Sequence, residues 1–325
     1  MDRLRLLPLA ASPTPMHKGI LSAALAYVIW GLFPLYFKLL SDIAPLEVLV
    51  HRVLWSLLFL LGVLAVRRQW DWLKQARSQP RLLGVSAISA TLLSANWLTY
   101  IWSVTNGHVI EASLGYFITP LVNVLLGYTV LHERLRKAQW VALALATLGV
   151  LWLALQGGRF PWIALVLACS FGGYGLMRKT APLGPLEGLA LETMLLTPFA
   201  LALGAWGLWK GISGFPTSST LTNVMLIAIG PVTAIPLLLF AAGARRISMS
   251  TLGLLQYLGP SIQFVLGLWL FKEPFSVERA VGFGLIWAAL AVYSVEAWRF
   301  LKRTQANAGS ATDATAAGTS GARIK

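Results

Sequence analysis

Glu192 is a carboxylate inside an apolar run, PLEGLALETMLLTPFALALGAWGLW, residues 185–209. A charge in a low-dielectric setting is costly, so such a residue either has a partner in the protein interior or carries function. Without an evident partner in the sequence, Glu192 reads as a proton carrier. A second group of ionisable residues is denser. Glu47, His51 and Arg52 share one run, while Lys38 closes the preceding run and Glu111 opens a later one. Glu47 and His51 are four apart and share a helical face, whereas Arg52 points about 140° away from Glu47. Histidine titrates near neutral pH, so the cluster reads either as a gate or proton-sensitive switch, or as a static network that fixes helix register through a pair such as Arg52 with Glu111.

Two prolines mark a different kind of chemistry. Pro120 lies in EASLGYFITPLVNVLLGY, with Ser113, Tyr116, Asn123 and Gly127 on its helical face. Pro260 is accompanied by Gln256, Gln263 and Gly267 on one face, with Tyr257 a step around. A proline within a helix removes one hydrogen bond and clashes with the carbonyl four residues back, here Tyr116 or Gln256. A freed carbonyl in lipid must face protein, water or a ligand. The two faces therefore suggest paired helix breaks around a polar midplane cavity. The bland alternative is packing plus interhelical hydrogen bonds. Trp30, Tyr27, Asn96, Tyr100 and Tyr174 could wall such a site, since flat aromatic surfaces with a few polar groups suit a mostly apolar small molecule. Many of the 14 tryptophans will instead serve in packing or at the membrane interface.

Catalytic arrangements are missing. The aspartates are Asp2, Asp42, Asp71 and Asp313, so no apolar run carries a paired-aspartate metal site. His132-Glu133 has no second histidine to complete HExxH, and there is no GxSxG. Glu47, His51, His108 and Glu111 lack the cysteine ligands or tight spacing of a metal centre. A lone cysteine, Cys169, excludes an intrachain disulfide. No cofactor, no metal and no enzymatic activity are expected.

These residues sit in a chain that is 57% hydrophobic and 12% charged over 325 residues. A soluble chain carries roughly 25% charged residues, so this composition describes a polytopic membrane protein. Ten apolar spans can be drawn at about 20 residues each. They are Gly19 to Leu40, Pro45 to Val66, Leu82 to Ser103, Val109 to Leu131, Ala138 to Leu155, Pro161 to Met177, Leu186 to Trp209, Thr222 to Gly243, Ser248 to Phe271 and Ala280 to Trp298. The run Pro161 to Met177 is the shortest. Residues 1–17 resemble a signal peptide only superficially, because Pro8 breaks their apolar stretch. They and the small polar residues 304–325 read as flexible cytoplasmic tails.

The net charge of +14 is explained by sidedness and calls for no nucleic-acid partner. With the N-terminus inside, 20 of the 26 Lys and Arg residues fall on the cytoplasmic side and 4 on the other, while Lys38 and Arg52 lie within spans. The positive-inside rule then sets both termini inside. Glu47, His51, Arg52 and Glu111 occupy the outer third. Glu192 and Arg52 each lie about 10 Å from opposite faces, so a direct bridge between them is not expected.

A gapless offset of 140 residues pairs the two halves: Pro45-Leu46-Glu47 with Pro185-Leu186-Glu187, Pro120 with Pro260, Asn123 with Gln263, Gly127 with Gly267, Glu133 with Glu273, and Lys38 with Arg178. Glu133 and Glu273 read as boundary ion pairs or caps. Five spans per half give inverted repeats, 18–156 and 161–298, a common build for secondary transporters. The expected fold is all-α, with ten transmembrane helices in two inverted five-helix repeats.

HRVLWS at 51–56, NWLTYIWSV at 96–104, EASLGYFITPLVN at 111–123 and STLGLLQYLGP at 250–260 resemble signatures of the RarD proteins, EamA-type bacterial permeases of the drug/metabolite transporter superfamily. The resemblance runs from about Lys18 to Trp298. It implies a ten-helix inverted-repeat permease of the bacterial inner membrane, acting on metabolites or drugs. The expectation is an exporter of a small organic solute working by alternating access. Candidate substrate contacts are Trp30, Asn96, Tyr100, Tyr116, Asn123, Tyr174, Gln256, Tyr257 and Gln263. Glu47, His51, Arg52, Glu111 and Glu192 are candidates for coupling or gating. Proton coupling and a homodimer are left open, as is a lipid-linked flippase. A membrane enzyme is the disfavoured reading.

This topology is checked with a fusion reporter that is active only outside the cytoplasm. It should work near Lys210 and be silent at Lys74 and after Arg303. Activity at Lys74 would refute the ten-span arrangement.

Overall fold

The computed structural model describes residues 15–106, 108–155, 160–216, 219–270, 280–296 and 298–299. Residues 1–14, the expected C-terminal tail and Glu273 fall outside the described residues, as do the side chains of Glu111 and Ser113, while residues 15–17 of the expected N-terminal tail are the first of α1. All regular structure among the described residues is helical. In chain order the helices are α1 Pro15–Gly31, α2 Phe33–Lys38, α3 Pro45–Arg67, α4 Asp71–Ser78, α5 Pro80–Thr105, α6 Val109–Thr129, α7 Lys137–Leu155, α8 Trp162–Thr180, α9 Pro185–Trp209, α10 Thr220–Ala244, α11 Met249–Gln256, α12 Leu258–Trp269 and α13 Ala280–Glu296.

Local chemistry sets the helix ends. Pro45, Pro80 and Pro185 open α3, α5 and α9, where a missing N–H costs nothing. The Ser219 and Ser248 side chains accept from the N–H groups of Thr222 and Thr251 and so cap α10 and α11. Arg68 ends α3 in the left-handed conformation, at φ 52°.

Among the described residues six helical segments are long and apolar enough to cross a bilayer: Met16–Lys38, Pro45–Arg67, Pro80–Ser103, Lys137–Leu155, Pro185–Trp209 and Thr220–Ala244. Leu114–Thr129 and Ala280–Glu296 are shorter apolar helices. The short run near Pro161 becomes α8, which ends in Arg178 and Lys179. The run Ser248 to Phe271 is divided into α11 and α12 at Tyr257. Large apolar side chains point outward, among them Val66 at 86%, Phe199 at 70% and Trp269 at 87% exposure. In water such a surface would aggregate; in a bilayer it is solvated. The protein is a multi-pass, all-helical membrane protein.

The chain resolves into two compact units, each assembled from two separate stretches of the sequence. The first contains α1–α6 and α8–α12, and the second contains α7 and α13. In the first unit α6 packs on α8 and α11, α10 on α1 and α3, α9 on α3, and α5 on α8. Its core includes Tyr27, Leu60, Leu93, Tyr174, Phe240 and Leu252. In the second unit α7 and α13 meet through glycines. A Cβ added to Gly149 would lie 2.8 Å from the Gly282 carbonyl oxygen, and an Arg136–Glu296 ion pair of 2.7 Å ties the ends.

A close backbone approach in the first unit is at Gly230 of α10. A Cβ there would lie 2.4 Å from the Trp55 backbone of α3, and Ser56 donates to the Gly230 carbonyl at 3.0 Å. Gly230→Ala should therefore overpack the seam and cost about 1–3 kcal/mol, lowering the thermal midpoint in detergent. Gly62→Ala, with no neighbour within 4 Å of its new Cβ, should be neutral or stabilising by up to about 1 kcal/mol. Equal midpoints for the two variants would refute this packing.

Candidate functional site

The two proline-bearing segments meet face to face. Asn123 of α6 donates through Nδ2 to Gln256 Oε1 of α11 at 2.8 Å, and both side chains are buried. Gly253 permits the contact, since a Cβ there would come within 2.6 Å of the Pro120 carbonyl oxygen. Tyr257 donates its hydroxyl to the Phe117 carbonyl at 3.2 Å. Asn123, Gln256 and Tyr257, all expected to line a polar cavity, are thus engaged in hydrogen bonds between these segments. The two prolines also differ. The α6 helix runs unbroken through Pro120, whereas Pro260 sits in the first turn of α12, just after the interruption at Tyr257. Gln263, the offset partner of Asn123, instead donates to the Trp30 carbonyl at 3.1 Å.

The aromatic candidates fall into two groups. Trp30 packs on Tyr27, Phe171 and Phe240, with ring centroids 5.6, 5.6 and 5.7 Å apart, and Tyr174 stacks on Phe240 at 6.0 Å. Tyr100 and Tyr116 form a separate edge-to-face pair at 6.2 Å. Asn96 bridges α5 to α8 by donating to the Leu167 carbonyl at 3.0 Å and to the Ser170 hydroxyl at 3.2 Å.

A small cavity of about 10 Å³ lies among α3, α5, α9 and α10, lined by Arg52, Val53, Ser56, Leu93, Trp97, Leu189, Thr193, Leu196, Thr233, Ala234 and Leu237. That is roughly the space of one water molecule. Eight of the eleven lining residues form four pairs at the 140-residue offset: Val53 with Thr193, Ser56 with Leu196, Leu93 with Thr233, and Trp97 with Leu237. Sequence reasoning singled out Arg52 but missed Trp97, Thr193 and Thr233. The offset, applied to every position rather than to the prolines and charges alone, was the signal that could have found them.

The Arg52 guanidinium lies over the Trp97 ring, 4.6 Å from its centroid, and 5.9 Å from that of Phe37. Its Nε donates to Thr233 Oγ1 at 3.3 Å. Tyr100 and Tyr116 are close enough to interact with its charge. Among the described residues no carboxylate is within ion-pair distance of Arg52. The Glu111 side chain, the partner suggested by sequence, lies outside them.

Glu47 holds a loop. Its carboxylate accepts from the Ser213 hydroxyl at 2.9 Å and from the backbone N–H groups of Gly214 and Phe215, each at 3.1 Å. His51 Nδ1 accepts from the Trp55 indole at 2.8 Å, which assigns its proton in the neutral form to Nε2, 4.0 Å from Glu47. Tyr36 donates to the Met225 carbonyl nearby in sequence to this loop. The opposite end of the unit is tied in the same manner. Glu133 accepts from the N–H groups of Met249 and Ser250, at 2.7 and 3.1 Å, and caps α11. Lys179 donates to the carbonyls of Ala244 and Ile247, and Arg245 to those of Ala181 and Leu183.

Glu192 is not alone, contrary to the sequence reading. It forms an ion pair with Arg178 at 3.0 Å, both side chains being 1% exposed, and Tyr174 donates to it at 3.4 Å. Arg178 also donates to the Gly184 and Pro185 carbonyls at 3.2 and 3.1 Å. Sequence reasoning had assigned Arg178 to a cytoplasmic loop. The loop between α8 and α9 is only residues 181–184, so the last turn of α8 stands beside the early turns of α9. Among the described residues no three His, Cys, Asp or Glu groups could hold a metal ion.

Comparison with known proteins puts this arrangement in context. Residues 17–155 match the EamA-like transporter family. An uncharacterized transporter of Pseudomonas aeruginosa is 47% identical over 293 residues, covering 89% of this chain and 97% of that protein. Protein RarD of Streptomyces exfoliatus is 49% identical over 292 residues, covering 89% and 91%. A solved crystal structure superposes with a TM-score of 0.65 at 19% identity, covering 88% of this chain and 98% of the other, a likeness of fold.

The buried ion pair generates a stability test. Arg178→Met leaves the Glu192 charge uncompensated and should cost about 3–5 kcal/mol. Adding Glu192→Met to that variant should recover much of the loss, because no lone charge remains. Thermal unfolding in detergent measures both, and a double variant as unstable as the sum of its singles would refute the coupling.

Proposed function

The chain belongs to the EamA-like transporter family, among its RarD proteins, and from that premise we propose that this membrane transporter is a secondary-active exporter of a small organic solute, a metabolite or drug, working by alternating access in the bacterial inner membrane. The proposed architecture is ten helices in two inverted repeats, 18–156 and 161–298, with both termini inside. Matching helix starts support it: α3 and α9 begin at 45 and 185, α5 and α10 at 80 and 220, α6 and α11 at 109 and 249.

The observation that carries the mechanism is the cavity whose lining comes in pairs at that same offset. A point where equivalent residues of two repeats face each other lies on the axis relating them. That is where a site must be if either repeat can open away from it. Polar ties close the unit at both ends, Glu47 with residues 213–215 at one and Glu133 with residues 249–250 at the other. Such ties exchange readily for water, so each end can part without exposing unsatisfied apolar surface. In this reading the conformation is a closed one, with the cavity of about 10 Å³ as the remnant of the solute space. On opening, Trp30, Asn96, Tyr100, Tyr116, Asn123, Tyr174, Gln256, Tyr257 and Gln263 are the proposed lining of the enlarged path. Protonation of Glu192 would release Arg178 and is the proposed route of coupling to protons, with His51 and Glu111 gating the other end.

The mechanism is tested with cysteine pairs in a background where Cys169 is Ser. Glu47→Cys with Ser213→Cys, and separately Glu133→Cys with Ser250→Cys, are joined by a short bifunctional thiol reagent in reconstituted vesicles. Each crosslink should abolish solute transport, and its reductive cleavage should restore it. Full transport through either crosslinked pair would refute alternating opening at these ends.

A further inference from the structure

We propose that Arg52 binds an anionic group of the transported solute, a carboxylate or a phosphate. The proposal rests on the transport reading above and assigns the chemistry of its central site. Arg52 stands on the lining of the cavity, with Thr193, Thr233 and Ser56 as neighbouring hydroxyl groups. A guanidinium presents five donors in a planar fork matched to two oxygens of an anion. Here only Nε has a partner among the described residues, a 3.3 Å contact to Thr233. Among the described residues neither terminal nitrogen has a hydrogen-bond partner. Trp97 and Phe37 hold the cation by their ring faces, which fixes its position without neutralising it.

The other half of the chain supplies the comparison. At the 140-residue offset, positions 38 and 52 correspond to 178 and 192. Arg178 and Glu192 form a buried, internally neutral pair. Lys38 and Arg52 are both cations. The second half sets a carboxylate at the later of these two positions, whereas the first half sets a second cation there, on the cavity lining. A cation inside a membrane protein with no carboxylate beside it among the described residues is costly, and a solute that brings a negative charge relieves that cost. The Trp97 ring and the apolar side chains of the lining, Leu93, Leu189, Leu196 and Leu237, favour an anion attached to an apolar or aromatic body.

The test uses reconstituted vesicles of the full chain, offered the low-molecular-weight fraction of a bacterial extract and analysed by mass spectrometry. Wild-type vesicles should accumulate solutes enriched in carboxylates or phosphates, and the spectra separate the two. Arg52→Gln should lose these solutes by roughly tenfold or more, the scale of a charge-assisted hydrogen-bonded contact. Arg52→Lys, which keeps the charge and loses the fork, should retain part of the uptake and guards against a folding defect in the first variant. Accumulation only of neutral or cationic solutes would overturn the assignment while leaving the transport reading intact. Accumulation of nothing would overturn the transport reading itself. Glu111→Gln is the remaining arm. If it destabilises the protein as much as Arg52→Gln, and the double variant loses nothing further, Arg52 serves an internal ion pair and the assignment fails.

Discussion

Lipid offers no hydrogen bonds to the spans of this helical protein, so polar groups within them are favoured where they find partners inside the chain. The arrangement of the first compact unit follows from that preference. Asn123 reaches across to Gln256, Asn96 to a carbonyl of α8, Ser56 to a carbonyl of α10, and Tyr257 to a carbonyl of α6. Each of these bonds joins two helices that apolar packing alone would hold at many rotations. The apolar side chains supply area, and the polar ones select a register.

Charge is treated differently in the two halves. Arg178 and Glu192 are almost fully buried and satisfied by each other and by the turn between α8 and α9. Replacing such a pair by apolar residues is often neutral, so the pair is not a source of added stability. Arg52, at the position matching Glu192, is held by aromatic faces instead of a carboxylate among the described residues. Similar helices at similar offsets thus carry opposite electrostatic arrangements, one closed and one that faces a cavity.

The carboxylates at the ends of the first unit share a mode of use. Glu47 and Glu133 both accept from successive backbone N–H groups on a different segment, at residues 213–215 and 249–250. An anion at a cluster of backbone donors is favourable but solvent-replaceable near a membrane face. The ends therefore rest on directional contacts of modest strength, while the middle rests on packing around Tyr27, Tyr174 and Phe240.

The sequence by itself determined that the chain is helical and membrane-embedded, because composition and run length report the solvent of each helix directly. It also determined where most helices begin, since Pro45, Pro80 and Pro185 act locally, and it carried the 140-residue offset that later organised the cavity lining. It identified Arg52, Asn123 and Gln256 as polar residues needing an explanation. Tertiary structure decided which groups meet. Asn123 pairs with Gln256, Gln263 reaches the Trp30 carbonyl, Glu192 has Arg178, Glu47 serves a distant loop, and a small cavity lies beside Arg52. The physical reason is that periodicity fixes the face of one helix, while contacts between helices depend on their relative depth and rotation. Those are set by close approaches such as Gly253 against Pro120 and Gly230 against Trp55, which belong to two helices at once.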